Sequence, residues 1–128
     1  MEHQESNMEN NNCIFSGSLK GTSFEPAKSN LQALLTPFLA NLEVTERGKL
    51  LSELVIELTH IKDNPYDPNA IRVTFHINDM HWEVGWIPKF INTKILEVGL
   101  DNVECKLQDF NIYEEKIVGA LIKVLKKP

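Results

Sequence analysis

The stretch Asp63-Asn64-Pro65-Tyr66-Asp67-Pro68-Asn69-Ala70-Ile71-Arg72-Val73 decides the reading of this chain. Its first seven residues combine two X-Pro bonds with a cluster of Asx side chains, the clearest turn in the sequence. Proline fixes φ and removes an N–H donor, while Asn and Asp bond backbone two residues on. From Ala70 the pattern changes to period two. Ile71, Val73 and Phe75 alternate with Arg72, Thr74 and His76, which predicts a strand over 70–77. Asn78-Asp79 is a two-residue turn centre, and Trp82, Val84 and Trp86 alternate on a returning strand over 81–87. That alternation places both tryptophans on one side of the strand, with a core face the better reading. Before the turn, β-branched Val55 and Ile56 favour a strand over 54–60.

Further out the signals are mixed. Pro88 and Gly99 bracket a helix near 88–98, with Ile91, Ile95 and Val98 on one face. Val103, Cys105 and Leu107 alternate as a strand, while Ile117 to Leu125 fits helix or strand. Leu31, Leu34, Leu35, Phe38, Leu39 and Leu42 make one helical face, with a capping-box pattern at Ser29 and Gln32. Pro37 either kinks this helix or opens a second one, and Gly48 marks a break. Order is expected from Cys13-Ile14-Phe15. Residues 1–12, acidic and Asn-rich, read as a disordered tail ahead of a single domain over 13–128. The fold class is mainly β (α+β): a small antiparallel barrel-like sheet with one or two short helices.

The second run, Val84-Gly85-Trp86-Ile87-Pro88-Lys89, and the upstream Gly21-Thr22-Ser23-Phe24 complete a pattern. With the Asn-Pro-Tyr-Asp turn they resemble the HIRAN domain family, whose members carry an Asn-Pro-Tyr-Asp-x-Asn-Ala-Ile-x-Val run followed by a Val-Gly-Tyr-Leu-Pro-Arg-like run. The resemblance covers roughly residues 15–99. It implies a small barrel related to oligonucleotide-binding folds and a module that grips single-stranded DNA or its free 3′ end, as in DNA repair or processing. It also implies nucleic-acid-binding roles for Phe24, Asn64, Tyr66, Asp67 and Lys89. The chain departs from the family at His60 and Ile61, where a basic-acidic pair is common, and at Glu25, where a second aromatic is common.

Each of these residues has a plainer reading. Asp67 can accept a sugar hydroxyl or simply form an Asx turn with the N–H near Asn69. Tyr66 and Phe24 can stack bases or pack under the turn, and Phe24, with no polar tip, is the more core-like. Lys20, Lys62, Arg72 and Lys89 are surface cations or phosphate contacts. His76, His81 and Asp79 lack the fourth ligand of a tetrahedral site, so no metal and no cofactor is expected. No nucleophile motif, phosphate-binding glycine loop or pair of catalytic carboxylates stands out, so the chain reads as a binding module and not an enzyme.

Composition narrows the partners. A net charge of -5 argues against broad electrostatic DNA binding, which needs many phosphate-neutralising cations. It leaves room for a small site on one strand end, and it suits a peptide- or protein-binding module that uses the same groove or a barrel edge. Without a signal peptide or an apolar run of membrane-spanning length, a cytoplasmic protein with no membrane partner is expected.

Overall fold

The structure is a computed structural model that describes residues 12–128. The tail expected over 1–12 lies, apart from Asn12, outside the described residues. Among the described residues six strands form two antiparallel three-stranded sheets. The first, in the order β1-β6-β5, comprises β1 (Cys13–Ser18), β5 (Val103–Tyr113) and β6 (Lys116–Lys126). The second, β2-β3-β4, comprises β2 (Val55–His60), β3 (Ile71–Ile77) and β4 (Met80–Trp86). A helical run over 27–40 (α1) and the helix Val44–Ser52 (α2) separate β1 from β2, and Lys89–Val98 (α3) follows β4. The chain is therefore mainly β, an α+β fold. None of its described helices is long and apolar enough to cross a membrane.

The hydrogen-bonded ladders do not close into one continuous barrel. Among the described residues the two sheets are joined by one backbone bridge, Lys20 to Trp86, whose N–H groups each donate to the other's carbonyl at 2.8 and 2.9 Å. The core lies between the sheets. Ile71, Val73, Phe75 and Ile77 of β3 face Ile117, Ala120, Ile122 and Val124 of β6, and Leu31, Leu35 and Leu39 of α1 and Ile91 and Ile95 of α3 close the ends.

Strand positions in the central region match the alternation. Asn78, at φ 54°, turns β3 into β4. The undecided 117–125 run is strand, because the hairpin before it is well formed: Glu114 and Glu115 stand at φ 48° and 66° between the paired Tyr113 and Lys116. Two consecutive positive φ values match the right-handed twist of the flanking strands.

The helical segment differs from its sequence reading in three ways. Pro37 sits in the first turn of a further helical stretch, Thr36–Ala40, the second of its two readings. Ahead of it the run Ala27–Ser29 widens into a π-helical stretch, Asn30–Leu35, which the sequence did not foretell. Proline offers no N–H to the carbonyl four residues back, and the N–H of Thr36 donates five back, to Leu31. The Thr36 hydroxyl also donates to Leu31 O at 2.7 Å and accepts from Ile117 N–H at 2.9 Å, tying α1 to β6. Ser29 is not an N-cap: it lies within the helical run, and its N–H and hydroxyl both donate to the Glu25 carboxylate. These bonds hold the Glu25 carboxyl below its ordinary pKa.

Gly48 does not break the chain but sits inside α2, with open space where a Cβ would be. Replacing it therefore removes backbone entropy from the unfolded chain at no steric cost. Gly48→Ala should stabilise the fold by about 0.5–1 kcal/mol, raising Tm by a few degrees in thermal unfolding followed by circular dichroism. An unchanged or lower Tm would contradict a helical residue 48.

Candidate functional site

The turn after β2 is organised by its own side chains. Asn64 Oδ1 accepts from the N–H of Tyr66 at 2.8 Å and of Asp67 at 3.0 Å, and Asp67 Oδ1 accepts from Asn69 N–H at 2.9 Å. Asn64 N–H reaches Ile61 O and Ala70 N–H reaches Asp67 O. Since Pro65 and Pro68 have no N–H, every backbone donor from 64 to 70 is bonded. A His60 ring nitrogen lies 2.7 Å from Pro68 O. The Asx-turn reading of Asp67 is thus realised, yet it engages one carboxylate oxygen only. The other, Oδ2, accepts from Asn92 Nδ2 on α3 at 3.0 Å. Asn64 and Asp67 shape the loop, and the loop leaves the Tyr66 ring 90% exposed.

Behind the loop lies a groove of about 1030 Å³. All five residues singled out from sequence, Phe24, Asn64, Tyr66, Asp67 and Lys89, line it. Phe24 is 73% exposed, so it is no core residue. Of the four scattered cations, Lys20, Arg72 and Lys89 line the groove and Lys62 does not. Arg72 pairs with Glu83 at 3.3 Å, while Lys20 and Lys89 have no carboxylate within ion-pair distance among the described residues. Lys89 opens α3, whose N-terminus has no side-chain cap; such a helix end favours negative charge nearby.

The two tryptophans do not share a face. Val73 pairs with Gly85 but Thr74 pairs with Glu83, so Val84 is an extra residue in the ladder. Such a bulge reverses the side-chain alternation beyond it. Trp82, opposite Phe75, packs on Phe38 with ring centres 5.7 Å apart. Trp86, opposite Arg72, turns out into the groove. Gly85 makes this possible. Its φ is 148°, and a Cβ there would lie 2.7 Å from Lys20 O. Gly21, at φ 71°, lies under the Trp86 ring in the same way, with 2.8 Å from a would-be Cβ to Trp86 Cδ1.

Sequence reasoning missed two groove residues. Phe90 is 74% exposed, and its ring meets Phe15 edge-on at 6.2 Å, which orients it. It directly follows the Val84-to-Lys89 run, and an aromatic beside a cation was the available signal. Asn92 is 2% exposed although polar. It precedes buried Ile95 by three residues and so shares the helix face turned inward. Elsewhere, His76 bonds Glu57 at 2.8 Å and stacks near His81, and no cluster of three or more potential metal ligands occurs among the described residues.

Compared with family models, with curated proteins and with solved structures, the chain gives no match.

Gly85 carries both the bulge and the seam between the sheets. Gly85→Ala should destabilise the fold by about 2–4 kcal/mol, through strain at positive φ and overlap with Lys20 O. Denaturant unfolding would read the loss. A stability within 0.5 kcal/mol of wild type would show that the backbones approach less closely than described.

Proposed function

We propose that this groove binds the 3′ end of single-stranded DNA, the role that the resemblance to HIRAN domains implies, in DNA repair or processing. The observation that carries it is the pairing of Tyr66 and Asp67 on a loop with every backbone donor bonded, beside two uncompensated cations. A loop already ordered loses little entropy on binding. Exposed rings of Tyr66, Phe24 and Phe90 offer faces on which bases stack, worth about 1–3 kcal/mol per base whatever the sequence. Asp67 keeps lone pairs for a hydroxyl donor and repels a phosphate at the same place. Lys89 and the α3 N-terminus suit the preceding phosphodiester. On this reading the two sheets act as an open barrel of the oligonucleotide-binding kind, with the Lys20–Trp86 bridge as its seam.

The net charge of -5 favours a second reading, a peptide-binding module that uses the same groove. Titration of labelled single strands distinguishes the two. A strand with a 3′-hydroxyl should bind and its 3′-phosphate counterpart should not. With only about two phosphates neutralised, log K should fall with log salt at a slope near -1.4. Tyr66→Ala should fold normally, because the ring is exposed, and weaken both ends by about 1–3 kcal/mol. Asp67→Ala should erase the discrimination, once circular dichroism shows it folded, since it also loses one hydrogen bond in the turn and one to α3. Equal binding of the two ends by the wild type, or no binding at high micromolar concentration, defeats the proposal in favour of the peptide reading.

A further inference from the structure

Glu25 lines the groove directly after Phe24. Both side chains are exposed, and both residues are held in place. Phe24 N–H donates to Gly21 O at 3.2 Å, and Phe24 O accepts from Lys28 N–H at 2.9 Å. The Glu25 carboxylate accepts the Ser29 N–H at 2.7 Å on one oxygen and the Ser29 hydroxyl on the other. These partners are neutral, and no cation lies within ion-pair distance of Glu25 among the described residues. The bonds from Ser29 favour the ionised carboxylate. They take one lone pair on each oxygen and leave one on each, on a side chain open to the groove. An exposed ring and an oriented anion thus stand side by side, with little ordering left to lose on binding.

A fixed carboxylate repels the phosphates of a strand, so the part of a strand that can lie against it with gain is a base edge. The bases differ in what they bring there. Cytosine, adenine and guanine each carry an exocyclic amino group, a donor that a glutamate accepts, whereas thymine presents carbonyl oxygen at that place. Uracil does the same without the methyl group. Neighbouring Cα atoms lie about 3.8 Å apart, so the edge of a base lying on the Phe24 ring comes within reach of the next side chain. We infer that Phe24 and Glu25 form a base-reading subsite, in which Phe24 stacks a base and Glu25 selects it for an exocyclic amino group, favouring cytosine over thymine and uracil. This rests on the proposal that the groove takes a single strand. It adds base selectivity to a site whose other contacts, stacking and phosphate attraction, are blind to sequence.

Three short DNA strands of equal length with free 3′-hydroxyls test this with the full chain: oligo(dC), oligo(dU) and oligo(dT). All are pyrimidines and stack alike, so the comparison isolates the amino group. Oligo(dC) should bind about tenfold tighter than the other two, the effect of one charge-assisted hydrogen bond near the surface. Oligo(dU) and oligo(dT) should match, because the methyl group is not read. Glu25→Gln keeps the side chain's length and an acceptor for Ser29 N–H but exchanges the other acceptor for a donor. It should bring the three strands within about twofold of one another and still reject a 3′-phosphate. Phe24→Ala, which removes an exposed ring, should weaken all three and erase the preference as well; it decides if Glu25→Gln does not fold by circular dichroism. If the wild type binds the three strands equally, or binds oligo(dU) or oligo(dT) tighter, base reading fails and end reading stands on its own test. A preference for oligo(dC) that survives in a folded variant also overturns the subsite. If no strand binds, both ideas fall.

Discussion

Two backbone hydrogen bonds between Lys20 and Trp86 join the two sheets, which among the described residues are otherwise held together by side-chain packing. The geometry they need is narrow. The Lys20 carbonyl must come within 2.7 Å of where residue 85 would carry a Cβ, a distance that only glycine tolerates. The same approach fixes the bulge at Val84, the bulge turns Trp86 outward, and Trp86 becomes the groove wall that faces Arg72 and Gly21. One steric constraint thereby sets the contact between the sheets and the shape of the candidate site. The site is built on the seam, where main chain from both sheets meets.

The second determinant is the loop over 61–70. A loop on the surface normally leaves some backbone groups to water and stays mobile. Here two prolines remove donors, the Asn64 and Asp67 side chains accept from Tyr66, Asp67 and Asn69, and backbone carbonyls accept from Ile61, Asn64 and Ala70. The bond from Asn92 to Asp67 then ties the loop to α3. Loop and helix converge on one carboxylate, so the position of Asp67 depends on two elements distant in sequence. The structural role of Asp67 and the role proposed for it in binding do not compete. Holding a carboxylate in place uses one lone pair on each oxygen and leaves one on each.

Much of this was legible in the sequence, and what was not has a physical reason. Strands over 54–60, 70–77 and 81–87 showed in the alternation and in the Asn-Pro-Tyr-Asp turn, because period two and proline chemistry are local. All five residues named from the sequence do gather at one groove. The bulge was invisible, since Trp82, Val84 and Trp86 alternate perfectly as letters; one extra residue in a ladder changes facing without changing composition. Phe24 read as core because an isolated phenylalanine carries no mark of its surroundings. Gly48 read as a break, yet a solvent-facing glycine costs a helix only about 1 kcal/mol, which neighbouring contacts offset. The barrel was the least legible feature. Alternation predicts strands, but whether edges pair depends on long-range register that no local pattern encodes.

Charge gives the last step. The chain is acidic as a whole, which disfavours tracking along a phosphate backbone, yet its groove sets three cations beside three carboxylates, Glu25, Asp67 and Glu83. One of those carboxylates, Glu83, is paired with Arg72, while Glu25, bonded by neutral Ser29, keeps its charge. The free charge left at the groove is then that of Lys20, Lys89, Glu25 and Asp67, mixed in sign. A uniformly positive cleft would hold any stretch of strand and let it slide. A mixed one discriminates by position: a phosphate is attracted where the lysines stand and repelled where Asp67 stands. Only a ligand whose charge stops short of the carboxylate satisfies both, and a strand that terminates in a hydroxyl has that property, while an internal nucleotide does not.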